Sequence, residues 1–383
     1  MKRPFALIGI TYLSVQAALF YLESDLAAAI LTAVCFIGTI VSLFILKNRN
    51  LRHTVLGFCL TAAFASTIFS GYNIFVKQPI VDKYSEREIY VTATVLEQPT
   101  VQYDTYRYLI ETDSINGKIE KLKICLSTIN ELNVEEFDRI SCVLPLKECT
   151  KSQMIADGAF LQASVNKNFA YIVKKTDDKP LYYQAVKIRE NFADSFEQNM
   201  SQDCASLCRA VLLGEKTALS QEIQNDFTRC GVSFLIVVSG MHLAIISSFV
   251  FLCIKKIIKN RVLRSMIMLM CAFSFMAVTG FAPSVVRAGV MLAVVYSGKM
   301  FMRKGDSLNS LGIAALILTV PNPTAVADVG MLLSFTATLG IILWARKITV
   351  YIMGKFAKLK RLKKLVEFTV NLFAVSVSAT VWT

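Results

Sequence analysis

The sequence predicts a multi-pass α-helical membrane protein with an inserted small extracellular β-barrel (OB-like) domain. Three observations lead there. Several apolar runs reach the ~20 residues that cross a hydrocarbon core, in a chain that is 54% hydrophobic with a mean hydropathy of +0.51. Between residues 77 and 180 those runs give way to short alternating segments rich in β-branched residues. Charge is split the same way. The insert holds 14 Lys and Arg against 16 Asp and Glu, a net of −2, so the rest of the chain carries +15, mostly in short loops between apolar runs. That is the positive-inside pattern, which records topology more than a nucleic-acid surface.

The first block, residues 1–76, reads as three transmembrane helices over roughly 4–22, 26–46 and 54–76. A second apolar run opens at Leu26, so the N-terminal run reads as half of a retained hairpin and not as a cleaved signal. Bases at Lys2, Arg3, Lys47, Arg49 and Arg52 place the N-terminus in the cytoplasm and residue 77 outside. His53 sits in the basic loop and reads as solvated.

Residues 77–180 predict about five strands: Glu88–Glu97, Tyr106–Thr112, Lys118–Leu126, Arg139–Leu146 and Leu161–Val173. Asn116-Gly117 is a hairpin turn, and a helical interruption is expected near 129–137. Five short strands with one interruption suit an OB-type barrel. Tyr103, Tyr106, Tyr108, Phe160, Phe169 and Tyr171 supply rings that could stack bases. The net charge of −2 argues against a strong electrostatic footprint. An outer location is oxidising, so Cys125 and Cys142, on successive expected strands, are expected to form a disulfide.

Residues 181–231 alternate apolar and charged positions at helical spacing and read as amphipathic interfacial helices. Gly214 is a helix stop and Ser220 a helix cap. From 232 the membrane texture returns. Loops near 255–264, 299–304 and 346–364 are basic, while those at 281–284 and 321–323 carry no base. This gives residues 77–231 an extracellular location independently of the first block.

Scarce polar residues in the second block mark the candidate site. Ser239-Gly240-Met241-His242 opens an apolar run. Ser239 and His242 share a helix face, and Gly240 admits a neighbouring backbone. Ser284 and Arg287 share another face about one turn into a later run, with Asp328 as an expected partner for Arg287 and Ser334 six residues beyond. Two histidines and no C-x-x-C pair spell out no zinc site.

Gly231…Ser239-Gly240-Met241-His242, then Thr279-Gly280…Pro283-Ser284-Val-Val-Arg287-Ala288…Met291, then Asp306-Ser-Leu308-Asn309 with Pro323…Asp328-Val-Gly330…Ser334-Phe335, resemble in order and spacing the three motifs of ComEC-type competence channels. Phe234 stands where that family often has a histidine, and Met331 and Leu332 stand where it often has Phe-Gln. The resemblance implies transport of single-stranded DNA across the cell membrane during transformation. Its implied partners are single-stranded DNA, the lipid bilayer, a DNA receptor and a cytoplasmic helicase, with no cofactor. Ser239, Gly240, His242, Ser284, Arg287, Asp328 and Ser334 become the expected DNA path. Many family members add a C-terminal nuclease domain. This sequence stops at Thr383 inside an apolar run and carries no catalytic motif, so it reads as a fragment whose nuclease, where present, lies downstream. The alternatives are a small-solute or lipid transporter, or a membrane scaffold.

Overall fold

The structure, a computed structural model, describes residues 3–22, 25–45, 48–97, 99–102, 105–165, 170–175, 182–215, 219–232, 236, 238–302, 305–355 and 363–383. Tyr103, Phe169 and Phe234 lie outside the described residues, as does most of the last basic loop. The chain divides into two compact units, Met1–Ser70 with Ser297–Thr383, and Gly71–Tyr296.

The first unit is helical. It contains α1 (Pro4–Leu22), α2 (Asp25–Ile45) and most of α3 (Arg49–Tyr72), with α12 (Ser307–Thr319), α13 (Val329–Gly340), α14 (Arg346–Lys355) and α15 (Lys363–Trp382). The three expected N-terminal helices are present. A register offset of 303 runs down α1 and α12. Arg3 Nε donates to Asp306 Oδ2 at 2.8 Å, and the Ala6 amide donates to Asn309 Oδ1 at 3.1 Å. Gly9 meets Gly312, where a Cβ on Gly312 would stand 2.7 Å from the Phe5 carbonyl carbon. The two helices therefore run parallel, and only glycine permits this approach. Asp306 also caps α12 by accepting from the Asn309 amide at 3.0 Å. Further on, Thr32 Oγ1 bonds Ser66 Oγ between α2 and α3 at 2.8 Å, and Trp344 stacks edge-on against Trp382.

In the second unit α3 continues through a π-helical turn, Asn73–Lys77, into α4 (Gln78–Tyr84) and enters the barrel. Seven strands follow: β1 (Arg87–Val95), β2 (Thr100–Gln102), β3 (Thr105–Ile115), β4 (Lys123–Thr128), β5 (Arg139–Glu148), β6 (Leu161–Val165) and β7 (Tyr171–Lys174). They run in the order β1-β3-β4-β6-β5-β7, and β1 pairs again with β5, which closes the sheet. The five long strands form a closed barrel around Val91, Ile110, Ile124, Leu126, Ile140 and Leu144. β4 and β6 pair in parallel and the other ladders are antiparallel. Two short edge strands, β2 and β7, are additions to the expected five. The span 161–173 is two strands and not one.

The expected helix near 129–137 is not formed. Those residues are turns ending at Phe137, whose φ is +68°, and the helical interruption is instead α5 (Ser152–Ala156), between β5 and β6. Three acidic residues, Glu131, Glu135 and Glu136, mimic a helix first turn in the sequence. Asp138 instead takes the Glu135 amide in a local turn.

The expected Cys125–Cys142 disulfide is contradicted, since both thiols are free. Two reasons are visible. β6 lies between β4 and β5. Cys142 points into the barrel core, whereas Cys125, between the inward Ile124 and Leu126, points the other way into a cluster with Leu109, Cys149 and Met154. A disulfide cannot bridge opposite sheet faces.

After the barrel come α6 (Tyr183–Asn199), α7 (Gln202–Cys208) with a π-helical turn Arg209–Leu213, and α8 (Gln221–Arg229). Gly214 stops the turn at φ +85°, and the Ser220 hydroxyl caps α8 by accepting from the Ile223 amide at 3.3 Å. Three further helices, α9 (Gly240–Ile257), α10 (Arg261–Val278) and α11 (Pro283–Met300), complete the unit. Among the described residues, five helical segments are long and apolar enough to cross a membrane: Pro4–Leu22, Leu51–Tyr84, Gly240–Ile257, Arg261–Val278 and Val329–Gly354. α12 is shorter, and α11, which carries Arg287 and Lys299, is not among the five.

Candidate functional site

The first two motifs meet at the joined N-terminal ends of α9 and α11. Ser239 is extended, at φ −129° and ψ 166°, and precedes α9 as its N-cap. His242, three residues on, turns its ring back. Its Nδ1 accepts from the Ser239 amide at 3.2 Å and lies 3.1 Å from Ser239 Oγ. The histidine thus does the work that Glu or Gln does in an ordinary capping box. It sits in the first turn of the helix, half-buried, and not deep within a span.

α11 starts at Pro283, whose missing N–H costs nothing at a first helical position. The next residue, Ser284, donates its hydroxyl to the Val238 carbonyl at 2.7 Å. Val238 is 1% exposed, so this bond supplies a carbonyl that water does not reach. One turn further, Ala288 lies against Gly240, where a Cβ on the glycine would come within 2.7 Å of the Ala288 Cβ. Val238, Leu243, Ala272 and Val285 make the apolar floor of the junction. Ser239, Gly240, His242 and Ser284 are therefore gathered within one joint. Arg287, a turn beyond Ser284 on α11, is 8% exposed.

Asp328 and Ser334 belong to the other unit. Asp328 Oδ1 accepts from the Gly330 amide at 2.8 Å and caps α13, after a 3-10 turn over Pro323–Ala327. Ser334 lies on α13, where its backbone carbonyl accepts from Thr338 Oγ1. Both thus have local structural roles. Asp306 and Asn309, in the same motif, are occupied by the α1–α12 clamp.

A second polar cluster, which sequence reasoning missed, lies on the barrel side of α9–α11. Arg189 of α6 is 5% exposed. It pairs with Glu136 from the β4–β5 connection, and its Nε lies 3.0 Å from Glu215 Oε1. Arg209 joins Glu215 at 2.9 Å and pairs also with Glu197. Burial pushes the Glu136 carboxyl up, against the pull of the Arg189 guanidinium. The sequence placed Arg189 among the solvated charges of an amphipathic helix. Only the partners, 53 residues upstream and 26 downstream, turn it inward. Among the described residues no group of three or more His, Cys, Asp and Glu is placed to hold a metal ion.

The joint of α9 and α11 is built from the first two motifs within a helical, apolar region. Residues 211–383 match the family model described as Competence protein. The chain is also similar to "ComE operon protein 3" of Bacillus subtilis (strain 168), with 24% identity over 161 residues. That alignment takes in 42% of this chain and 21% of the relative, so it spans about a fifth of the relative's length. No solved structure matches the chain.

Proposed function

We propose that this protein carries single-stranded DNA inward across the cytoplasmic membrane during natural transformation. Its barrel lies outside and its N-terminus in the cytoplasm. The observation that carries the reading is the joint of Ser239, Gly240, His242 and Ser284, which gathers two motif segments inside the region matched to the competence family.

Physics sets the demands. A strand carries a phosphate charge every ~3.4 Å, so a hydrocarbon core of ~30 Å holds roughly nine at once. Hydrocarbon cannot solvate them, so the path must be wet, polar and not acidic. Arg287 is the residue we assign to touch phosphate in transit, with Ser284 and Ser239 as neutral hydrogen-bonding neighbours. Asp328 and Ser334 keep the assignment to the path that their motif gives them. The parallel run of α1 and α12 supports the topology, because both helices then begin on the side of the basic residues Arg3 and Lys299. The OB-like strand order of the barrel supports an extracellular module of the expected kind. A DNA receptor and a cytoplasmic helicase are the partners such a path requires at its two ends.

A small-solute or lipid transporter is the second reading. The break between α12 and α13 favours it, since interrupted helices recur at solute sites. One experiment separates the two. Deleting the gene should abolish the arrival of radiolabelled strand in the cytoplasm while leaving labelled duplex bound at the surface. Undiminished internalisation contradicts the proposal.

A further inference from the structure

The turn between α10 and α11 touches the barrel through an aromatic and ionic bridge. Phe281, in that turn, packs at a tilt against Tyr182, with ring centroids 5.4 Å apart, and edge-on against Phe273 of α10 at 5.9 Å. Tyr182 in turn meets Phe137, on the β4–β5 connection of the barrel, edge-on at 5.8 Å. Alongside runs the ionic strand. Glu136, the neighbour of Phe137, pairs with Arg189, and the backbone at Gly280 presses on that guanidinium. A Cβ at Gly280 would lie 3.0 Å from Arg189 Nη1 and 3.8 Å from the Tyr182 hydroxyl oxygen.

The backbone at both ends of the bridge is unusual. Phe137 has φ +68° and Phe281 has φ +51°, left-handed conformations that a bulky residue adopts only at a cost. Gly280 has φ +67°. Two phenylalanines held in the same disfavoured region, one on the barrel and one on the helix turn, both contact one tyrosine. Such conformations persist only where surrounding contacts over-determine them. What the bridge determines is the placement of the turn. Three residues beyond Phe281 is Ser284, whose hydroxyl holds the Val238 carbonyl, and Val238 adjoins Ser239 and the His242 cap.

We propose that Tyr182 and Arg189 are positioning residues for the α9–α11 joint. They fix the α10–α11 turn against the barrel and, through it, hold Ser284, Ser239 and His242 in their mutual geometry. The barrel thereby sets the shape of the joint, whether or not a ligand ever occupies the barrel itself. Arg189 supplies the ionic half by pairing with Glu136 and Glu215 beside Gly280 of the turn. Tyr182 supplies the aromatic half, and burial with the nearby Glu136 carboxylate pushes its phenol up to about 12, so the ring stays neutral. This inference rests on the transport reading for its consequence but not for its geometry.

The test uses the full chain in its membrane, with Cys204, Cys208, Cys230 and Cys253 replaced by serine and an Ala282→Cys reporter in the turn. Labelling of the reporter by a water-soluble thiol reagent reads the turn. Cytoplasmic arrival of labelled strand reads function. Continued protection of Cys142 shows that the barrel is folded. Tyr182→Ala should change the reporter labelling rate and lower uptake, each by about tenfold, the scale on which losing two aromatic contacts moves an equilibrium. Tyr182→Phe, which keeps the ring, should stay within about twofold in both. Arg189→Gln should shift the labelling rate in the same direction as Tyr182→Ala. Labelling unchanged in Tyr182→Ala, with Cys142 protected, overturns the proposal and leaves the transport reading standing. A changed labelling rate with wild-type uptake keeps the positioning role and counts against the joint as part of the transport path.

Discussion

Replacing Gly9 by alanine perturbs the membrane helices at their tightest point. A Cβ there would lie 2.5 Å from the Gly312 carbonyl carbon and nearer still to its oxygen. Ordinary contact needs about 3.4 Å or more, so α1 and α12 must part by about 1 Å, an overpacking that costs about 1–3 kcal/mol. The separation also stretches the Ala6–Asn309 hydrogen bond beyond its 3.1 Å, which removes about 1 kcal/mol more. The expected loss is about 2–4 kcal/mol in all. Gly298, on α11, is the matched control, because a Cβ there meets nothing within 4 Å. Gly298→Ala should gain about 0.5–1 kcal/mol from the lower backbone entropy of the unfolded chain. Unfolding of purified protein in mixed detergent micelles, followed as a function of SDS mole fraction, reads both. Equal midpoints for the two variants refute the close parallel crossing. Adding Gly312→Ala to Gly9→Ala should cost less than the sum of the single effects, since one separation relieves both contacts.

Three further expectations follow from the same geometry. Cys125 and Cys142 should resist a thiol reagent in the folded protein and react after unfolding, with no reductant needed, because burial pushes the Cys142 thiol up to about 12 and raises Cys125 as well; a count of reactive thiols before and after denaturation checks this. Asp306 is held below the ordinary carboxylate range by the Asn309 amide and by Arg3. Its contribution is therefore complete above the unfolded-state pKa and is lost as pH falls through the depressed folded value, so Asp306→Asn should flatten the acid limb of the stability profile and leave its alkaline side unchanged. Ser284→Ala should destabilise the protein by about 1–3 kcal/mol, because it strands the buried Val238 carbonyl, while Ser284→Thr should retain most of the bond; thermal denaturation of the two variants decides it.

Much of this architecture was legible because its signals are periodic. The three N-terminal helices, the Gly214 stop, the Ser220 cap and most barrel strands come from spacing and turn residues that act locally. The strand order was not legible. Nothing in β4 or β5 announces that β6 lies between them, and so Cys125 and Cys142 appeared as neighbours. The helix expected near 129–137 failed for a related reason. An acidic run resembles a helix start, yet Asp138 closes a turn there and Phe137 adopts a left-handed backbone.

The site was legible in part. Ser239 and His242 stood out as polar residues at the head of an apolar run. Their use as a cap is local geometry that the spacing of three already contained. Arg189 was invisible because its charge is ordinary on an amphipathic helix, and its buried partners are distant in the chain. Gly9 and Gly312 were silent for the same reason. Each is unremarkable alone, and only the pairing of α1 with α12 gives them meaning. Asp306 and Asp328, read from their motif as part of a group, turn out to be helix caps, and Asp306 and Asn309 clamp α1.

The most direct test of the account is a charge series at Arg287, with cytoplasmic uptake of labelled single strand measured at matched expression. If a buried cation on α11 meets the phosphates of a passing strand, Arg287→Lys retains substantial uptake and Arg287→Ala loses it. Equal uptake in the two variants would contradict that role and leave Arg287 as a packing residue among apolar helices.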